Sequence, residues 1–175
     1  MKLIELFENR KVKRHTKFGD LDLSIEVPYG CYRYGKNKEW KQKMLCHYGY
    51  IKLSNAPDGD NLDCFLRVRP IENSKIYVIH QLDKSGNKYD EDKVMLGFSS
   101  KRQAKLYWKK HAYKPNIMFG GISSFNNEHF CTIVHSLRNS IVMIANQNIY
   151  DDFKNNGFID NTIKSPRQIF KKLKE

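Results

Sequence analysis

Short strand-like segments, separated by clusters of turn formers, fill the first hundred positions of this 175-residue chain. Each segment is rich in β-branched and aromatic residues and is bounded by turn-forming residues. We assign these segments to residues 21–27, 48–53, 62–68, 75–82 and 93–98. Turn signals at residues 55–59, 70–73 and 83–87 favour short antiparallel connections. The pattern predicts a β-rich unit in the first two-thirds of the chain and favours a barrel.

Helical patterning begins after residue 99, where apolar residues recur at helical spacing between basic ones. The apolar positions of this segment are Ala104, Tyr107, Trp108 and His111. A second helix is predicted over residues 126–137, and Ser165-Pro166 has the N-cap and N1 chemistry that starts a short basic helix. The predicted fold class is therefore α+β, with helices flanking the β-rich unit toward the C-terminus.

The length of the chain fits a single domain over residues 1–175, because chains below about 250 residues rarely split into two. No apolar run approaches the roughly 20 residues of a membrane helix, and the charged N-terminal segment lacks the pattern of a secretory signal. We therefore expect a cytoplasmic protein. The four cysteines form no C-x-x-C pair, so we expect reduced thiols at Cys31, Cys46, Cys64 and Cys131.

The net charge of +12, from 31 basic and 19 acidic residues, indicates an anionic partner. Polynucleotide, acidic lipid and small polyphosphate all satisfy that description. Against this basic background, the segment 58–63 places three carboxylates in six residues directly before an apolar strand. Such clustering costs repulsion unless the oxygens of Asp58, Asp60 and Asp63 share a hard cation such as Mg²⁺ or Mn²⁺. An acidic surface turn has the same composition, so this segment alone does not decide.

A second acidic group, Asp90-Glu91-Asp92, precedes Lys93 and another apolar strand. Two carboxylate clusters that enter adjacent strands can face one groove, hold two or more cations and clamp phosphoryl oxygens. Glu26, at the end of the first strand, is a candidate for the same set, whereas Asp92 is expected to point away from it. Phosphate oxygens would then be bound by basic and tyrosine side chains. The candidates are Arg33, Lys43, Lys93, Lys114, Tyr48 and Tyr113.

The motif D-G-D-x-x-D, following a Tyr-Gly-Tyr strand, resembles the signature of family I soluble inorganic pyrophosphatases. Further matching segments occur in the family's order, at residues 25–28, 46–51, 90–93 and 113–114. The chain is more similar still to the compact pyrophosphatase-like domain of bacteriophages, through residues 78–81 and 90–98. The resemblance covers roughly residues 20–125, and residues 138–175 form a basic tail that it does not place. A phage origin would imply the host cytoplasm.

This resemblance implies a closed five-stranded barrel of OB-like topology with flanking helices, and Mg²⁺-dependent hydrolysis of inorganic pyrophosphate by a metal-activated water. It makes Asp58 and Asp63 metal ligands and Asp60 both a ligand and the general base. Other family positions are matched by Glu26, Tyr48, Lys93, Tyr113 and Lys114, and Arg33 stands where the family has a lysine.

The chain also departs from the family pattern. The loop before Lys93 is shorter, so Asp83, Asp90 and Glu91 compete for two metal-binding positions, and we favour Asp90 and Glu91. Met44-Leu45 replaces a Tyr-Pro pair, and a nearby arginine is absent, with Lys41 or Lys43 as substitutes.

Two other functions compete with pyrophosphate hydrolysis. An OB-like barrel with this charge also suits single-stranded nucleic acid, by backbone contact and base stacking. Converging carboxylates disfavour such a groove, which leaves weak nonspecific nucleic-acid contact and a homo-oligomer as further expectations. Cys131 and His135, four residues apart, have the spacing of a thiol nucleophile and its base, but nothing beyond that spacing supports them.

Overall fold

The computed structural model describes residues 14–54, 56 and 60–136. Its strands and helices, in chain order, are β1 (Arg14–Phe18), β2 (Leu21–Val27), β3 (Tyr32–Tyr34), β4 (Lys41–Lys43), β5 (His47–Ile51), β6 (Asp63–Leu66), β7 (Ile76–Leu82), β8 (Tyr89–Leu96), α1 (Lys101–His111), β9 (Phe119–Phe125) and α2 (Asn127–Ser136).

Seven of these strands form one sheet in the order β1-β2-β5-β6-β8-β7-β9, and β3 and β4 form a separate two-stranded ribbon. Strand β6 pairs with β8 in parallel, with Cys64 opposite Val94. The other pairs within the described sheet are antiparallel. Parallel neighbours begin at the same edge of a sheet. The start of β6, at Asp63, therefore lies beside Lys93 of β8.

Strand alternation divides the apolar side chains between the two faces of the sheet. One face carries Val78 and Val94 and is covered by Phe130 and Val134 of α2. The opposite face carries Tyr48, Phe65, Ile79 and Met95 and is covered by Ala104 and Trp108 of α1. Full burial of such side chains contributes about 1.5–3 kcal/mol each, so the two faces hold both helices against the sheet.

Helix α1 begins where side chains replace the missing backbone partners of its first turn. The Ser100 hydroxyl accepts a hydrogen bond from the Gln103 amide at 3.2 Å, and the Gln103 side chain accepts one from the Ser99 amide at 2.9 Å. The last turn carries Lys109, Lys110 and His111, whose positive charges suit the helix C-terminus. The capping explains why this helix starts at the residues that the sequence indicates.

The Tyr-Gly-Tyr strand contains glycine because β2 approaches it closely. A Cβ atom on Gly49 would lie 1.9 Å from the Ser24 carbonyl oxygen, so no other residue fits there without moving backbone. Beside it, the β2–β5 register shifts between Ile25 and Val27, which places Glu26 in a β-bulge. After the bulge, Val27 lies opposite Tyr48 and packs on the face that α1 covers.

The predicted α+β class is confirmed, and so are the five predicted strands, with ends shifted by up to four residues, and the helices near residues 101 and 127. The predicted five-stranded closed barrel is not confirmed. The described sheet has seven strands, and its two end strands, β1 and β9, each pair on one side only. The basic helix predicted at Ser165-Pro166 lies outside the described residues. Neither described helix is long and apolar enough to cross a membrane.

Candidate active site

Tyr48 lies at the centre of the candidate site, buried on β5 with 2% of its surface exposed. Its hydroxyl donates a hydrogen bond to Asp63 Oδ2 and accepts one from Arg33 Nη2 at 2.8 Å. Burial raises the pKa of Tyr48 far above its ordinary value, and the nearby Asp63 carboxylate raises it further. The hydroxyl therefore keeps its proton at neutral pH and acts as a fixed donor.

Lys93 joins the carboxylates of two strands. It lies on β8 with 8% of its side chain exposed, pairs with Asp63 Oδ2, and lies 2.7 Å from Glu91 Oε1. Glu91 and Lys93 are two residues apart on one strand and so share a face, while Asp63 comes from the parallel neighbour β6. Two carboxylates thus converge on one ammonium group, which offsets their mutual repulsion.

The Glu91 carboxyl shows the cost of this arrangement. Burial raises the pKa of Glu91 above its ordinary value, Lys93 opposes the rise, and Asp63 and Asp90 add to it. Glu91 is therefore held as a partly buried carboxyl, one of three neighbouring acidic side chains with a single close ammonium group. Such a site favours an additional cation.

Arg33 reaches this cluster from the β3–β4 ribbon, outside the main sheet. Its guanidinium carbon lies 4.0 Å from the centroid of the Tyr48 ring, and the side chain is half-buried. Contact with an aromatic ring leaves several guanidinium N–H donors for an anion, a use for which arginine is better suited than lysine.

Gln81 connects the cluster to helix α1. Its Nε2 donates to Glu91 Oε1 at 3.1 Å and to Asp90 Oδ2 at 3.3 Å, and its Oε1 accepts from Trp108 Nε1 at 3.3 Å. The indole nitrogen can only donate, which fixes the amide with its nitrogen toward the carboxylates. Gln81 thereby orients Glu91.

The structure brings together six of the sequence-predicted site residues. These are Arg33, Tyr48, Asp63, Asp90, Glu91 and Lys93. Asp60 is exposed three positions before Asp63, and its backbone oxygen accepts from the Ala56 amide at 2.7 Å. Asp58 lies outside the described residues.

Four predicted residues are not joined to the cluster by any contact that the described part of the chain shows. Lys43 lies opposite Tyr32 in the ribbon, on the face away from Arg33. Glu26 is exposed at the bulge in β2. Tyr113 is 72% exposed after α1, where the amines of Lys84 and Lys114 lie 5.9 and 5.5 Å from its ring centroid. Sequence order placed these residues near the site, but the contacts depend on which strand face each side chain occupies.

The described carboxylates have the chemistry that binds a divalent cation, but they do not by themselves form a complete set of metal ligands. Within residues 14–54, 56 and 60–136, no three His, Cys, Asp or Glu side chains are arranged to hold a metal ion. Asp63 and Glu91 supply carboxylate oxygens, which hard cations such as Mg²⁺ prefer. The sequence-predicted set also includes Asp58, which lies outside the described residues.

The other face of β8 carries a separate buried network. Asp92 points away from the cluster, as the sequence indicated, and its Oδ1 lies 2.7 Å from His80 Nδ1. His80 Nε2 in turn lies 2.7 Å from Ser123 Oγ. Asp92 is not a solvated surface group, because it is 1% exposed. A change at Asp92 would therefore disturb a buried contact with His80 and is expected to act on stability.

Sequence reasoning assigned no role in the site to Gln81, Trp108, His80 or Ser123. A signal was present, because His80 and Gln81 are polar residues inside the otherwise apolar strand β7. Buried polar groups require partners. Their partners Trp108 and Ser123 could not be named without the fold, since both are more than 25 residues away.

Residues 5–135 match the protein family described as Inorganic Pyrophosphatase. This match covers three-quarters of the chain, which therefore belongs to the inorganic pyrophosphatase family and is an enzyme of that class. No curated protein matches it.

Solved structures of bacterial enzymes show only distant similarity. An inorganic pyrophosphatase of Coxiella burnetii is 16% identical, with a TM-score of 0.37, over 65% of this chain and 90% of that one. The inorganic pyrophosphatase of Helicobacter pylori is 12% identical, with a TM-score of 0.38, over 82% and 98%. An inorganic phosphatase of Anaplasma phagocytophilum is 14% identical, with a TM-score of 0.34, over 64% and 87%.

Proposed function

We propose that this chain hydrolyses inorganic pyrophosphate to two phosphates in a Mg²⁺-dependent reaction centred on Tyr48, Asp63, Glu91 and Lys93. The observation that carries this proposal is the convergence of two carboxylates on the Lys93 ammonium group, beside Arg33. Carboxylates suit a cation and the basic groups suit phosphate oxygens, so one cluster serves both halves of a metal–pyrophosphate complex. A single-stranded polynucleotide gains nothing from the carboxylates.

The proposed roles follow from charge and position. Asp58, Asp60, Asp63, Asp90, Glu91 and Glu26 are the proposed oxygen donors for Mg²⁺, or for Mn²⁺ in its place. A bound Mg²⁺ lowers the pKa of water and offsets phosphate charge. Asp60 takes the proton from the attacking water, the bridging P–O bond breaks, and Lys93 stabilises the charge on the departing phosphate.

The remaining groups bind substrate oxygens. Arg33 and Tyr48 are adjacent in the cluster, and the single Tyr48 O–H reaches a phosphate oxygen by leaving Asp63. Lys43, Tyr113 and Lys114 are proposed for more distant oxygens, which would require the ribbon and the loop after α1 to approach the cluster. We further propose that the chain is a single domain of the compact bacteriophage type and acts in the cytoplasm.

The test is phosphate release from pyrophosphate, measured with Mg²⁺, with Ca²⁺ and with a chelator. We expect turnover with Mg²⁺ and poor turnover with Ca²⁺, because Ca²⁺ accepts looser oxygen coordination. Lys93→Met should abolish most of the activity. The matched control is Lys75→Met, because Lys75 is exposed and lies next to the start of β7, at the opposite end of that strand from Gln81. Equal turnover with Mg²⁺ and with chelator would contradict the proposal.

A further inference from the structure

The β3–β4 ribbon has one face toward the cluster and one toward solvent. Arg33 lies opposite Gln42, and Tyr32 and Tyr34 lie opposite Lys43 and Lys41. Directly opposite residues share a face of an antiparallel pair. Because Arg33 contacts Tyr48, its face is the one turned to the cluster.

Trp40 lies immediately before β4 and beside this arginine. The Arg33 guanidinium carbon is 5.9 Å from the centroid of the Trp40 ring, and Trp40 remains 45% exposed. The protein's other tryptophan, Trp108, is 1% exposed. An exposed indole beside a phosphate-binding arginine offers a π-face to a ligand that is held at the cluster.

We infer that the site binds nucleoside 5′-diphosphates or triphosphates, with the phosphates held at Arg33 and Tyr48 and the base stacked on Trp40. This inference rests on the proposed function, because it uses the same phosphate-binding cluster. The same guanidinium group lies near both anchors, because its carbon is 5.9 Å from the Trp40 ring centroid and its Nη2 is 2.8 Å from the Tyr48 hydroxyl.

The charge of the ribbon favours a nucleotide over a neutral aromatic ligand. Residues 29–43 contain five basic side chains and one acidic one. The cluster favours a mononucleotide over a continuous strand, because the groups beyond Arg33 include the carboxylates of Asp63 and Glu91. Terminal phosphates carrying a cation can approach those carboxylates, whereas the phosphodiester backbone of a longer strand would be repelled.

The experiment compares two non-hydrolysable probes that share the same P–C–P group. Methylenediphosphonate carries no base, and adenosine 5′-(α,β-methylene)diphosphate adds ribose and adenine. Calorimetry with Mg²⁺ gives the ratio of the two affinities for the wild-type chain, Trp40→Ala and Trp40→Phe. Loss of a stacking aromatic costs about 1–3 kcal/mol per base, so Trp40→Ala should lower the adenosine probe's relative affinity about 5- to 150-fold. Trp40→Phe should keep most of it.

An unchanged ratio in Trp40→Ala would overturn the inference, and so would failure of the adenosine probe to bind the wild-type chain. Neither readout depends on turnover. If the chain releases phosphate from pyrophosphate but the affinity ratio is the same in Trp40→Ala, the inference of nucleotide binding fails and the proposed function stands. If the ratio depends on Trp40 and no phosphate is released, the inference stands and the proposed function fails.

Discussion

The indole nitrogen of Trp108 donates a hydrogen bond to the side-chain oxygen of Gln81 at 3.3 Å, and so aims the amide nitrogen at Glu91 and Asp90. Helix α1 therefore takes part in orienting two proposed metal ligands that lie on β8. The connection is direct, because the Gln81 side chain contacts both Trp108 of α1 and the two carboxylates of β8.

Gln81→Leu removes the two donors that hold these carboxylates. Loss of a partner that orients a metal ligand typically costs about 10–100-fold in metal affinity or activity. We expect the Mg²⁺ concentration for half-maximal phosphate release to rise by a comparable factor. Lys101→Leu, an exposed substitution at the start of α1 and outside this network, is the control. An unaltered Mg²⁺ dependence in folded Gln81→Leu would show that Glu91 does not need this partner.

Asp60→Asn tests the proposed general base. Asparagine keeps the shape and one ligand oxygen but cannot accept the proton, so turnover should fall about 10²–10⁴-fold. The melting temperature should hardly change, because Asp60 is exposed. Asp22→Asn is the matched control, since Asp22 is also exposed and its carboxylate forms a surface pair with Lys17 at 3.6 Å. Wild-type turnover by Asp60→Asn would mean that another residue is the general base.

Asp92→Asn should act on stability and not on catalysis. Asp92 is buried against His80 on the face away from the cluster, and weakening a buried hydrogen bond to a charged group costs about 1–3 kcal/mol. For a chain of this length, each kcal/mol lowers the melting temperature by about 2–4 °C. Thermal melting should show this loss, while turnover well below the melting temperature should change little. A melting curve matching that of the wild-type chain would mean that the network is dispensable.

His111 links the end of α1 to the segment before β5. Its Nε2 accepts a hydrogen bond from the Leu45 amide at 3.0 Å, so Nδ1 donates to the Tyr107 carbonyl at 2.7 Å. Both contacts together require a neutral ring. Burial lowers the pKa of His111 below its ordinary value of 6.5, and the positive charges of Arg33 and Lys110 contribute to the lowering.

The pH dependence follows from this direction. Below pH 6.5 the unfolded chain binds a proton at His111 more readily than the folded chain does. Stability is therefore complete above that pH and is lost as the pH falls toward the lowered value. We expect the melting temperature to fall as the pH drops below about 6.5, and to fall less in His111→Gln, whose side-chain oxygen can still accept from the Leu45 amide. Identical slopes for both proteins would exclude His111 as the cause.

Local pattern was sufficient to predict some parts of the molecule. The bounds of β2 coincide with the predicted segment, because its apolar residues alternate and Pro28 follows it. Strand β9, FGGISSF, was missed because two glycines and two serines dilute the strand signal. Strand β1, RHTKF, was missed because its residues do not alternate between apolar and polar.

The cluster was predictable in composition and only partly in geometry. Tyr48, Asp63 and Lys93 were found from the motif, because strand entry and residue type are local properties. Gln81 was not found, because its role exists only once β7 has paired with β8 and is covered by a helix that begins 20 residues later. Lys43 was assigned to the site because the sequence does not reveal which ribbon face each side chain occupies. In the structure, Arg33 and Gln42 share the face toward the cluster, and Lys43 lies on the opposite face.

The parallel pairing of β6 with β8 has a consequence for the order of folding. Parallel strands cannot pair as a local hairpin, so Asp63 reaches Lys93 only after the chain has crossed over through β7. Closing the intervening loop costs conformational entropy before the strand contacts provide any stabilisation. Such contacts therefore form late in folding. An incompletely folded chain therefore keeps the carboxylates of Asp63 and Glu91 apart. Tight cation binding at this cluster should appear only when folding is nearly complete. Free cations should therefore bind the nascent chain weakly.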